Sequence, residues 1–208
     1  MSRNRFLAGS LLLAAACGPQ DPKPTPSPST SPTPSTCTGA PSAYAVAVVD
    51  SWIPSCSLAQ DIYNDPQKAL GREDAAGSGP LNFTGFVSLG FGGYVTVDMG
   101  GCIDDRPGPD LRIFQAVGSE PVSIYVSLSP DGPFTLVEAR RDCGERATAI
   151  RSYCDIDIAS GGATRARYVK VEDGELYACP GDSVSEGADL DAVQALGVAT
   201  SSASDLPR

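Results

Sequence analysis

The chain contains no histidine at all, one tryptophan and two methionines. The missing imidazole is the most restrictive of these, because it removes the usual general base near neutral pH, the commonest nitrogen ligand for zinc and the centre of a serine–histidine triad. Most familiar hydrolase constellations are excluded with it, and no enzymatic activity is expected. Basic side chains are scarce too: 15 Lys and Arg face 25 Asp and Glu, for a formal charge of −10. That imbalance argues against nucleic acid as a partner. None of the cysteines shows the C-x-x-C spacing of a zinc or thioredoxin-like site. Gly90, Gly92 and Gly93 lack the GK[ST] ending of a phosphate loop, so they are expected to permit a bend into a strand starting at Tyr94. The mostly apolar run Phe6 to Ala16 has eleven residues, too few for a permanent transmembrane helix.

What is present at the amino terminus is an export pattern. Arg3 and Arg5 precede that run, and Ala14-Ala15-Ala16-Cys17 resembles the lipobox of a bacterial lipoprotein signal. Residues 1–16 are therefore expected to be removed and Cys17 lipidated, the alternative being plain secretion with a free Cys17. Ala14 stands where leucine is favoured, with Leu13 one place earlier. Gly18 in place of aspartate leans towards the outer membrane or cell surface. From Gly18 to Thr36, 15 of 19 residues are Pro, Ser or Thr, a composition that makes an extended tether rather than a packed core. Removing residues 1–16 leaves 13 basic and 25 acidic residues, a formal charge of −12.

Seven cysteines are an odd number for an exported chain. Setting Cys17 aside leaves Cys37, Cys56, Cys102, Cys143, Cys154 and Cys179, enough for three disulfides. Sequence does not choose among the many pairings that six cysteines allow. The expected one is Cys143 with Cys154, whose loop is short, Cys37 with Cys56, and Cys102 with Cys179.

The periodicity of residues 37–198 is that of strands. Val95, Val97 and Met99 alternate with Tyr94, Thr96 and Asp98, and Val122, Ile124, Val126 and Leu128 share one phase of the next clear run. Shorter runs at Tyr44–Val49, Leu111–Phe114, Phe134–Ala139, Tyr168–Glu172 and Leu190–Leu196 are separated by turn residues, which predicts an all-β antiparallel sandwich. One short helix is expected, capped by Asp65, with Pro66 in its first position and Gly71 at its end. Residues 199–208 read as a disordered tail.

The order of motifs carries a resemblance. Asp65-Pro66-Gln67-Lys68-Ala69-Leu70-Gly71-Arg72-Glu73-Asp74 is followed by Ser88-Leu89-Gly90-Phe91-Gly92-Gly93, Gly108-Pro109-Asp110-Leu111-Arg112-Ile113-Phe114 and Val126-Ser127-Leu128-Ser129-Pro130-Asp131-Gly132. Ala166-Arg167-Tyr168-Val169-Lys170-Val171 and Gly187-Ala188-Asp189-Leu190-Asp191-Ala192-Val193 complete it. Over roughly Ala43 to Gly197 this resembles bacterial cell-surface lipoproteins with a discoidin-like domain, the coagulation-factor type C jelly roll of the galactose-binding-like fold. Ile113-Phe114-Gln115 departs from the group's frequent Val-Phe-Glu, and Cys143, Cys154 and Cys179 look like local additions. The resemblance implies an extracellular adhesive or carbohydrate-binding role, and a structural calcium between an early loop and the last strand, where Asp74 and Asp191 fall.

Calcium takes about six to eight hard oxygen ligands, so carboxylates are the candidates: Asp74, Asp110 with its neighbours Asp104 and Asp105, Glu120, Asp189 and Asp191. Strict alternation would put Asp189 and Asp191 on one strand face. A sugar would need an aromatic platform, for which Trp52, Tyr44, Tyr63, Tyr94, Tyr125 and Tyr177 are available. Tyr94 and Tyr125 lie on the polar phase of their strands, and Trp52 is more readily a core residue or loop plug. The expected function is non-catalytic binding of a glycan or another envelope molecule by a lipid-anchored domain. The alternatives are an assembly lipoprotein with a protein partner in the envelope, and a carboxylate-based glycosidase.

Overall fold

The computed structural model describes residues 37–54, 63–77, 83–116, 118–146, 148, 150–174 and 187–198. The signal, Cys17, the tether, Cys56, Tyr177, Cys179 and the tail lie outside these described residues. Among the described residues twelve strands follow in order: β1 (Ala47–Trp52), β2 (Ala76–Gly77), β3 (Phe83–Thr84), β4 (Val87–Ser88), β5 (Tyr94–Asp104) and β6 (Leu111–Ala116). Then come β7 (Pro121–Ser127), β8 (Thr135–Asp142), β9 (Glu145–Arg146), β10 (Arg151–Ile156), β11 (Arg165–Asp173) and β12 (Asp189–Ala195). One five-stranded sheet has the order β1-β5-β11-β7-β8 and a second the order β4-β12-β6-β10-β9. Every pairing is antiparallel.

The fold follows from the alternation. Val95, Val97 and Met99 of β5, Val169 and Val171 of β11, and Val122, Ile124 and Val126 of β7 turn inward from the first sheet. They meet Leu111 and Ile113 of β6, Ile156 of β10, and Leu190 and Val193 of β12 in one shared core. Burying such side chains stabilises the fold by about 1.5–3 kcal/mol each. Leu128 does not join its phase-mates, because β7 ends at Ser127 and leaves Leu128 36% exposed. The expected helix is a single 3-10 turn over Pro66–Ala69, with the Asp65 side chain accepting from the amide of Gln67. A second 3-10 turn, Ile158–Gly161, is capped in the same way by Asp157.

The run that begins at Tyr44 serves both sheets. Tyr44 bridges to Gln194 and the amide of Ala45 donates to the carbonyl of Val193, while the amide of Val46 donates to Asp98 and β1 continues along β5. Just upstream, Ser42 donates to the carbonyl of Met99, and Cys102 to that of Gly39. That path lays Cys37 beside Cys102, and the two are disulfide-bonded. The expected pairs Cys37–Cys56 and Cys102–Cys179 are thereby corrected, since each needs a partner already taken. The short-loop pair Cys143–Cys154 is present and buried.

At the far end of β5 the glycine run makes the expected bend. A Cβ on Gly93 would lie 1.9 Å from the carbonyl oxygen of Leu89, so no other residue fits there. Asp173, only 4% exposed, holds this bend to the start of β12 by accepting from the amides of Gly92 and Ala188.

Non-reducing peptide mapping is expected to recover Cys37 joined to Cys102 and Cys143 to Cys154, and recovery of Cys37 with Cys56 would refute this connectivity. Replacing Cys37 and Cys102 together by serine opens a loop with a sequence separation of 65. That change should lower unfolding stability by about 4 kcal/mol in denaturant titrations.

Candidate functional site

After the 3-10 turn, Gly71 takes a positive φ of 81° and its amide donates to the carbonyl of Ala45. This directs residues 72–75 as a strap towards β12. The strap is seated by a small cluster, in which Tyr63 stacks on Phe86 with ring centroids 5.1 Å apart and Ala75 and Ala116 fill the space beside them.

Asp191 is the centre of the site. Leu190 pairs with Gln115 and Ala192 with the adjacent Phe114, so Asp191 is the extra residue of a β-bulge. Strict alternation with Asp189 therefore fails: Asp189 is half-buried opposite Ser88, whereas Asp191 is completely buried. One of its oxygens, Oδ1, accepts from the strap amides of Asp74 at 2.9 Å and Ala75 at 3.1 Å. The other, Oδ2, is buried without a hydrogen-bond partner. Two further atoms in the same state belong to this neighbourhood, Oε2 of Glu73 and Nε of Arg151. Arg151 reaches the strap through Nη1, which donates to the carbonyl of Glu73 at 3.1 Å.

Burial pushes the Asp191 carboxyl up to about 6; the two strap amides and the charge of Arg151 pull it back, and the charge of Asp74 raises it. Beyond the strap, burial and a hydrogen bond to Glu73 raise the Tyr44 hydroxyl.

The chemistry of this donor set can be judged against a cation. Asp191 Oδ2 and Glu73 Oε2 are hard anionic oxygens sealed from solvent, and a buried polar atom left unpaired costs about 1–3 kcal/mol, more when charged. A calcium ion takes such oxygens together with backbone carbonyls, so each of these two atoms is a donor of the kind it would use. Sealing also means that a resident ion suits the place better than an exchanging sugar.

The other predicted ligands are dispersed. Asp110 is at the opposite end of β6, its oxygens accepting from the amides of Arg106 and Ile158. Burial raises its carboxyl, against those bonds. With Asp105 and Asp157 it forms a group whose carboxylate oxygens lie within 4.8 Å of one another. Asp104 instead pairs with Arg165 at 2.7 Å. Glu120 faces Gln115, whose side-chain amide donates to its carbonyl and accepts from its amide, both at 2.8 Å. A glutamate at position 115 could not make both bonds, which gives a physical reason for the departure from Val-Phe-Glu.

The aromatic candidates divide similarly. Tyr63 belongs to the cluster under the strap, and Trp52 stands half-buried opposite Tyr94 on the outer side of the first sheet. Tyr94 donates to Asp50 at 2.9 Å, and burial together with that bond pushes its hydroxyl up to about 12. Glu73, Arg151 and Lys170 were not singled out from sequence. Glu73 lies inside a motif whose sequence signal is the helix cap, and Arg151 lies in a strand that periodicity does not reveal. Compared with protein-family models, curated proteins and solved structures, the chain matches none.

In calcium-free buffer, the stability contributed by Asp191 should be full below its unfolded value of 3.8 and lost as pH rises through about 6. Denaturant titrations from pH 4 to 8 should show this fall, and Asp191→Asn should flatten it. An unchanged slope in the variant would contradict the assignment.

Proposed function

We propose that this chain is a non-catalytic binding module of the galactose-binding-like jelly-roll type, held at the cell envelope by a lipid on Cys17 and directed at a glycan or another envelope molecule. The observation that supports it most is the carboxylate of Asp191, completely buried against the strap with one oxygen unpartnered, while the strap residue Glu73 also carries a buried unpartnered oxygen. Its position between an early loop and the last strand matches what the motif resemblance implies for a structural calcium. Asp191 and Glu73 would hold the ion, with Asp74 adding negative charge nearby. When bound, calcium would neutralise the buried carboxylates and brace the strap; the chain itself supplies the amides of Asp74 and Ala75 and the Arg151 contact that keep the strap in place. The Asp105–Asp110–Asp157 group stands apart, with both oxygens of Asp110 already engaged by backbone amides.

Thermal melts of the full chain, solubilised in a detergent without a sugar headgroup, test the ion. Calcium added after chelator, at a hundredfold excess over its dissociation constant, should add about 2.7 kcal/mol of stability. Asp191→Asn should abolish the increment, while Asp157→Asn should retain it. A glycan array with the same protein tests the ligand class. No bound glycan, together with one stoichiometric protein partner on cross-linking in cells, would replace this reading by an assembly role.

A further inference from the structure

On the outer side of the first sheet, pairing sets two adjacent rows across the strands. Thr96, Lys170, Tyr125 and Leu136 form one, and Trp52, Tyr94, Glu172 and Ser123 form the next. Lys170 is the centre. Its ammonium lies 4.3 Å from the ring centroid of Tyr125, 5.1 Å from that of Tyr94 and 5.9 Å from that of Phe134. It also pairs with Glu172 at 3.1 Å, and the two side chains keep 20% and 17% of their surface exposed. Asp50 closes one margin through its bond with the Tyr94 hydroxyl.

Strands on the surface of a sandwich ordinarily turn short polar residues outward. Here the outward phase gathers three rings, an ammonium and two carboxylates in one place. Each ingredient has a use in binding a sugar. Aromatic rings offer an apolar face to the C–H side of a pyranose, while an ammonium donates to hydroxyl oxygens and a carboxylate accepts from hydroxyl hydrogens. Tyr125 and Phe134 are half-buried and Leu136 beside Tyr125 is 44% exposed, so the patch opens to solvent on that side, whereas Tyr94 is 9% exposed and borders it as a buried ring. Lys170 against Asp50 and Glu172 leaves the patch net negative, on a chain that carries −10 overall. A neutral saccharide suits that balance and an anionic one does not.

We infer that the outer face of the first sheet around Lys170, bounded by Tyr94, Tyr125, Phe134, Glu172 and Asp50, is the contact surface for a neutral saccharide. This rests on the glycan-binding reading above and gives it a location. The strap with Asp191 belongs to the second sheet, so the two sites are on different parts of the domain.

The test uses the full chain in the same sugar-free detergent. An array of neutral gluco-, galacto- and manno-oligosaccharides and of uronic-acid oligomers selects the best probe, and titration calorimetry then measures it. Tyr125→Ala and Phe134→Ala should each weaken binding about tenfold or more, Tyr125→Phe should retain most of it, and Tyr153→Ala on the second sheet should change nothing. Melting curves identify any variant that fails to fold, and Lys170→Gln, which keeps a polar stem without the charge, should weaken binding independently. If neutral saccharides bind but Tyr125→Ala, Phe134→Ala and Lys170→Gln stay within twofold of the parent, this surface is refuted while the binding function stands. Preference for uronic acids would refute the neutral-sugar inference, and no binding of any saccharide would overturn both.

Discussion

Taking the carboxylate of Asp191 out of water is unfavourable unless something else holds it. The fold supplies the amides of Asp74 and Ala75 for one oxygen and leaves the second buried without a hydrogen-bond partner, with the charge of Arg151 close enough to favour the carboxylate. Much of the early chain is arranged around this constraint. The 3-10 turn, the positive φ at Gly71 and the Tyr63–Phe86 stack all serve to present the strap amides at the bulge in β12. If the strap departed, Asp191 would lose its only hydrogen bonds among the described residues, and the bulge would have no reason to persist. The strap and the last strand therefore hold each other, although 116 residues separate Ala75 from Asp191.

How much of this could be read in advance depended on whether the cause was local. Strands β5, β7 and β11 announce themselves because their inward positions carry valine, isoleucine or methionine. In β10 the inward positions are Ser152, Cys154 and Ile156, of which only the last is strongly apolar, so its regular alternation leaves no clear hydrophobic period in the sequence. The capping of the 3-10 turn by Asp65 was legible for the same reason in reverse, since cap and amide are two residues apart. The bulge at Asp191 leaves no mark on sequence, because a period of two has no way to signal one extra residue. The partner of Cys37 was equally hidden, since it is fixed by the path of residues 39–46 along β5.

The two outer faces use one physical device in two forms. On the second sheet the Arg112 guanidinium lies 4.1 Å from the Tyr153 ring centroid and forms a two-pronged pair with Asp155 at 2.6 and 2.8 Å. On the first, the ammonium of Lys170 does the same with three rings and Glu172. A planar guanidinium locks into one stack and one fork, whereas an ammonium is a point charge with three donors that several rings can share. The first arrangement fixes the guanidinium by one ring and both oxygens of one carboxylate. The second leaves one point charge shared among several rings and Glu172, and that difference separates the two faces.

The Cys37–Cys102 bond also decides where force enters the molecule. Any pull on the chain ahead of Cys37 passes through the disulfide to Cys102, near the end of the longest strand, and not into the edge strand β1. That strand is hydrogen-bonded on both sides, by β1 and β11, so drawing it lengthwise must shear two ladders at once instead of peeling one open. Residues 38–46 are spared the load altogether, because the covalent shortcut bypasses them. Pulled from its amino-terminal side, the domain would in this way resist extension with the part of its sheet that is most difficult to unzip.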